Sequence, residues 1–144
     1  MELNQRSLKA LSGVHPALVK VVKRTAELIE EDSDLKFIVT EGLRTLERQK
    51  QLLADGKSKT LKSKHLTGHA VDLAVWFDFD QDKVVDSNEI SWKFEYYKKL
   101  NDIVQQAAND VEVDVEWGGS WKSFVDCPHF QIDPEVYKWK KEGA

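Results

Sequence analysis

From Pro16 onward, apolar residues recur every three or four positions, at Leu18, Val21, Val22, Ala26, Leu28 and Ile29. Lys23, Arg24, Glu27 and Glu30 fall between them. This is the spacing of an amphipathic helix with one face turned to a core, and proline suits its first turn, where an N–H would lack a helical partner anyway. His15, at the start of the helix, reads as structural. The acidic run Glu30-Glu31-Asp32-Ser33-Asp34 ends the helix, and Leu35 to Thr40 reads as a short strand. Thr45 then caps a second helix running to about Ala54, where Asp55-Gly56 stops it.

The period shortens in the middle of the chain. His69-Ala70-Val71-Asp72-Leu73-Ala74-Val75-Trp76 is rich in β-branched and apolar residues and reads as a buried strand. Ala70, Asp72 and Ala74 share one face, and His69, Val71, Leu73 and Val75 the other. Gly68 can supply a bend before it. Trp92, Phe94, Tyr97, Leu100, Ile103, Val104 and Ala107 return to helical spacing. Val111, Val113, Val115 and Trp117 alternate with Glu112, Asp114 and Glu116 as in a half-solvated strand. Gly118-Gly119 turns the chain, Asp126 to Ile132 returns as a further strand, and Pro134 to Lys140 forms a short helix or turn.

These elements predict an α+β fold, a small, mainly antiparallel sheet with packed helices. The 144 residues suit one domain, 1–144. Composition adds exclusions: 41% hydrophobic and 32% charged residues are ordinary for a globular chain. The formal charge of -4 gives no polybasic surface, so nucleic acid is not an expected partner. Lys57, Lys59, Lys62 and Lys64 form a local cluster that reads as a solvated loop, or as a contact for acidic groups of a substrate. Cys127 is the only cysteine, so no intramolecular disulfide is expected. The N-terminus lacks a signal-peptide pattern and no segment has the length of a membrane span, so synthesis in the cytoplasm, no membrane insertion and a monomeric state are expected.

The candidate chemistry lies in Ser63-Lys64-His65-Leu66-Thr67-Gly68-His69-Ala70-Val71-Asp72 and, far downstream, Asp126-Cys127-Pro128-His129. If His65, Asp72 and His129 converge, they form a catalytic zinc set with one position left for water. Asp72 points away from His69 on a strand, which argues against His65 and His69 as joint ligands. An unpaired carboxylate between Val71 and Leu73 is costly to bury, and a cation removes that cost. On the residues alone, a metal site and structural histidines beside a hydrogen-bonded aspartate both remain open.

Ser63-x-His65-x-x-Gly68-x-Ala70-x-Asp72 followed by Asp126-x-x-His129 resembles the zinc signature of the M15 metallopeptidases. That family includes D-alanyl-D-alanine carboxypeptidases and dipeptidases, and the L-alanyl-D-glutamate endopeptidases used as phage endolysins. The likeness extends through Val14-His15-Pro16, Glu41-Gly42-Leu43-Arg44-Thr45 and Trp117-Gly118-Gly119-Ser120-Trp121, and is greatest with the small endolysins. It implies a Hedgehog/DD-peptidase-like fold and zinc on His65, Asp72 and His129, lowering the pKa of bound water from ~15.7 towards about 7.

The resemblance also implies that Asp126 is the general base and that Arg44 stabilises the oxyanion. Taken alone, Arg44 reads as a partner of Glu41 or Glu47. Ser63, Trp117 and Trp121 are expected at the substrate. Aspartate rather than glutamate at 126 looks like the endolysin branch, so the implied substrate is the peptidoglycan stem peptide, reached in the periplasm once the membrane is permeabilised. The rival readings are a D-alanyl-D-alanine carboxypeptidase or dipeptidase, and a non-catalytic metal-binding module. A catalytic role for Cys127 is disfavoured, because Pro128 breaks regular pairing beside it and no helix N-terminus is expected there.

Between strand and helix, residues 78–89 place acids at positions one, three, five, nine and twelve: Asp78, Asp80, Asp82, Asp86 and Glu89. Val84 could offer its carbonyl at position seven, as in an EF-hand calcium loop. A helix is expected to leave the loop at Glu89. Lys83 stands where glycine normally turns the loop, which would strain it by about 1 kcal/mol, and the preceding element is a strand. Calcium is the expected ion; an acidic surface insertion is the alternative.

Overall fold

The computed structural model describes residues 1–58, 62–82 and 84–139. Its elements are helices α1 (Gln5–Ala10), α2 (Pro16–Leu28), α3 (Leu46–Ala54) and α4 (Phe94–Asp110), and strands β1 (Leu35–Glu41), β2 (Ala70–Phe77), β3 (Ile90–Ser91), β4 (Glu116–Trp117) and β5 (His129–Gln131). The strand order is β1-β2-β5-β4, with β3 also paired to β2, and every pairing is antiparallel.

β2 is central because both of its faces are covered. Val71, Leu73 and Val75, with Phe37 and Val39 of β1, point into a core completed by Leu18, Val21 and Val22 of α2 and Tyr97, Leu100 and Val104 of α4. Each such side chain, withdrawn from water, favours folding by about 1.5–3 kcal/mol. The opposite face carries Ile38, Ala74 and Trp76, packed against Val85 and Ile90. Asp72 lies at the other end of that face, where β2 has Glu41 of β1 on one side and His129 of β5 on the other.

Three features depart from expectation. α1 has no apolar period and was not expected; the Asn4 carboxamide caps it by accepting the Ser7 N–H at 2.8 Å, and the buried Ser7 hydroxyl accepts the Val39 N–H at 2.9 Å. The strand expected over Val111 to Trp117 shrinks to two residues, because Val111 and Val113 donate back to Ala107 and Ala108 as the end of α4. Glu112 takes a left-handed φ of 58 there, so the alternating valines follow a helix exit. The helix after the acidic loop starts at Phe94, beyond a 3-10 turn at Ser87–Glu89 and β3, since Ile90 and Ser91 pair with β2 instead. The tail forms a turn after Asp133, one of the two forms expected of it. Lys59, Lys83 and Lys140 lie outside the described residues. Among the described residues, no helix is long and apolar enough to cross a membrane.

Candidate metal centre

His65 sits on a one-turn 3-10 helix, Lys64–Thr67. The Ser63 hydroxyl accepts the His65 N–H at 3.2 Å and Gly68 closes the turn at φ +74, close enough to the Gly13 carbonyl that a Cβ would lie 2.4 Å from it. Only glycine combines that dihedral with that approach. The expected bend is therefore present, and β2 starts two residues later.

His129 opens β5 opposite Asp72. The Asp126 N–H donates to Gly118 O at 3.0 Å and the His129 N–H to Asp126 O at 3.2 Å. A Cβ on Gly118 would meet the Asp126 carbonyl at 2.4 Å, so this glycine lets the turn close onto β4.

The three side chains converge as expected. His65 Nε2 lies 3.2 Å and His129 Nδ1 3.4 Å from Asp72 Oδ1, with the two rings 5.1 Å apart. The far nitrogens are engaged: His65 Nδ1 meets the Gly42 carbonyl at 2.8 Å, and His129 Nε2 meets Gln131 Oε1 at 2.7 Å. Both partners only accept, so each far nitrogen carries the proton and each near nitrogen turns a lone pair to Asp72. Three acceptors facing one point within 4.8 Å of one another repel unless a cation or added protons lie between them. Two imidazoles and a carboxylate fit a divalent metal.

Without an ion, added protons take its place between these groups: burial alone would raise the Asp72 pKa, but hydrogen bonds from protonated His129 and His65, with their charges, hold it well below the usual carboxylate range. Burial would lower the His129 pKa, and hydrogen bonding to Asp72, the Asp72 charge, Gln131 and the Asp126 charge together outweigh it and raise the ring. Asp126 moves the other way: burial, then the Asp72 charge, pushes it above the ordinary value.

The cluster opens into a cleft of about 400 Å³, reached by Arg44, Ser63, Trp121, Asp126 and Gln131. Arg44 grips Glu41 with two hydrogen bonds of 2.7 Å and donates to Gln49 at 2.7 Å. It approaches Ser63 only at 3.5 Å and Asp72 at 3.8 Å. The Glu41 pairing weighed for it in the sequence is present, and the loosely held N–H groups lie on the cleft side. Trp121 stands 5.2 Å from the His129 ring.

Trp117, expected at the substrate, is corrected to the core: it is buried, its indole N–H donates to Cys127 O at 2.7 Å, and its ring packs on Phe94. Lys57, Lys62 and Lys64 reach the cleft, with Lys57 and Lys62 exposed. Burial and the Asp126 charge push the Cys127 thiol up, away from a reactive thiolate. His69 faces elsewhere, between Thr67 Oγ1 at 2.7 Å and Tyr137 O at 2.6 Å.

In the acidic loop, Asp78, Asp80 and Glu89 gather at one point and Asp80, Asp82 and Asp86 at another. Glu89 Oε1 accepts the Asp86 N–H at 3.0 Å, and Asp82 Oδ1 accepts the Val84 N–H at 2.9 Å.

The sequence reading missed Gly42, Gln49, Glu116 and Gln131. Gln131 alone had a visible signal, two residues after His129 and so on the same strand face.

A His-Asp-His cluster that could hold a metal ion, beside an independent carboxylate at the mouth of a cleft on a small antiparallel sheet, fits a metallohydrolase. Known proteins narrow this. The family model described as phage L-alanyl-D-glutamate peptidase matches residues 1–133, and the chain belongs to that family. It is 29% identical over 140 residues to the L-alanyl-D-glutamate peptidase of Escherichia phage T5, spanning 94% of this chain and 92% of that one. It is 28% identical over 138 residues to the peptidoglycan L-alanyl-D-glutamate endopeptidase CwlK of Bacillus subtilis, spanning 85% and 75%. The crystal structure of the L-Ala D-Glu endopeptidase ChiX of Serratia marcescens matches with a TM-score of 0.78 and 38% identity, over 95% of this chain and 93% of that one.

Proposed function

We propose that this chain is a zinc-dependent peptidoglycan endopeptidase of the endolysin kind, hydrolysing the L-alanyl-D-glutamate bond of the stem peptide. The observation that carries the metal chemistry is the convergence of His65 Nε2, His129 Nδ1 and Asp72 Oδ1, with the far ring nitrogens taken up by Gly42 O and Gln131 Oε1. Held by these three side chains, zinc supplies a Lewis acid that makes water more acidic and polarises the scissile carbonyl.

The chain's own groups do the rest. Asp126 takes the proton of the attacking water and returns it to the amine leaving from D-glutamate. Its pKa, pushed upward by burial and by Asp72, suits a group that must both accept and give back a proton. The cleft-side N–H groups of Arg44 stabilise charge growing on the carbonyl oxygen, and Glu41 and Gln49 hold the guanidinium in place for that. Ser63 positions the turn that bears His65, and Trp121 walls the cleft. The wall is reached once the membrane is opened, and a monomer suffices because every group named lies on one chain.

Digestion of purified murein with zinc present tests this. A new free amine on D-glutamate is expected; released D-alanine would point to a carboxypeptidase or dipeptidase, and an intact polymer to a non-catalytic metal-binding module.

The acidic loop is assigned a calcium ion held by Asp78, Asp80, Asp82, Asp86 and Glu89 with the Val84 carbonyl, which the two carboxylate groups that share Asp80 support. Calorimetry should show heat on adding calcium, much reduced in Asp80→Ala with Asp82→Ala; no heat from the parent protein contradicts the assignment.

A further inference from the structure

Gln131 links the metal centre to a surface carboxylate. Its Oε1 lies 2.7 Å from His129 Nε2, and its Nε2 donates to Glu116 Oε2 at 2.6 Å. The backbone sets both contacts. Gln131 follows His129 by two residues on β5, so the two side chains share a face, and Glu116 is its cross-strand partner on β4.

A side-chain amide has a donor end and an acceptor end of nearly equal shape, so Gln131 by itself could turn either end to the imidazole. Turned one way it accepts from Nε2–H, leaving the Nδ1 lone pair for the metal. Turned the other way it donates to Nε2, which puts the ring proton on Nδ1, between His129 and Asp72. The Glu116 carboxylate can only accept, so it draws the amide N–H₂ toward itself and leaves the oxygen for His129.

We infer that Glu116 and Gln131 are positioning residues that fix His129 in its metal-binding tautomer, with Glu116 acting through the direction of the Gln131 amide. The inference rests on reading His129 as a zinc ligand. Partners that orient a ligating imidazole commonly change metal affinity by about 10- to 100-fold. Glu116 is exposed at the sheet edge, so its replacement leaves the core untouched.

The test measures zinc affinity by competition with a chromogenic chelator, in about 1 M salt, where screening over about 3 Å removes the long-range effect of an added charge. Glu116→Lys replaces an acceptor by a donor and should reverse the amide, weakening zinc binding about tenfold or more while the melting temperature holds. Adding Gln131→Glu to that variant supplies a carboxylate that accepts from both His129 and the new lysine, and should restore affinity to within about threefold of the parent. In the zinc-loaded parent the His129 Nε2–H should appear as a slowly exchanging imidazole proton in the NMR spectrum, be lost in Glu116→Lys and return in the double variant. Zinc affinity unchanged in Glu116→Lys overturns the inference alone, as does a loss that the second substitution fails to repair. A parent protein that takes up no zinc overturns the reading on which it rests.

Discussion

At Asp126 the chemistry depends on one carboxylate that makes no metal contact in the scheme above. It reaches the cleft beside the His-Asp-His cluster, while its backbone, not its side chain, is tied to Gly118 and His129. Asp126→Ala should therefore lower kcat by about 100-fold or more, the usual worth of general acid–base catalysis, and leave zinc bound, as elemental analysis of the same preparation would establish. Cleavage at the parent rate would remove Asp126 as the base. His65, Asp72 and His129 were legible as a set through the M15-like motif, with Gly68 standing where the bend between His65 and Asp72 was needed; the residues alone left structural histidines equally open. Gln49 and Glu116 were not legible, because their roles depend on which elements lie side by side and on how the chain leaves β1. Trp117 was misread for a related reason: an indole beside Gly118-Gly119 looks the same in sequence whether it faces a cleft or the core, and only the Cys127 carbonyl that it meets decides.

The turn bearing His65 is an element gripped from both sides. The Gly68 carbonyl accepts the His15 N–H at 2.8 Å, and from the tail the Trp139 indole N–H donates to Thr67 O at 2.7 Å. Gly68→Ala would place a Cβ at 2.4 Å from Gly13 O in a left-handed conformation; the dihedral alone costs about 1–2 kcal/mol, and the close approach adds to it. Urea unfolding should show a loss of at least that size, together with weaker zinc binding, because the His65 ring moves with its turn. A variant as stable as the parent would mean that the turn is not under this constraint. Helices α2 and α3 and strand β2 were readable from period and caps. α1 was too short to show a period, and the expected strand after α4 imitated alternation while the backbone was still closing the helix.

Across the whole molecule, α4 is locked to β2 by a buried hydroxyl. Tyr97 accepts the Val75 N–H at 3.2 Å and donates to Ser91 O at 2.8 Å, and burial pushes its pKa up to about 12. The unfolded chain releases this proton near the ordinary value of about 10, so between those values the native state holds more of it. Stability from this group is thus complete below about pH 10 and is lost as pH rises towards about 12. Tyr97→Phe should be less stable near neutrality, through the lost hydrogen bonds, and should lose less further stability over that alkaline range in denaturant melts. Parallel curves for the two proteins would contradict the link. The fold class followed from the order of elements. The strand order β1-β2-β5-β4 did not, since sequence does not say which edge of β2 receives β5, and that choice brings His129 to Asp72.

The central claim is that His65, Asp72 and His129 hold one catalytic ion. Elemental analysis of protein loaded with zinc and then desalted tests it most directly. One zinc per chain is expected, falling to background when Asp72→Ala removes the shared carboxylate; no zinc in the parent, or a full equivalent retained in Asp72→Ala, would contradict the account.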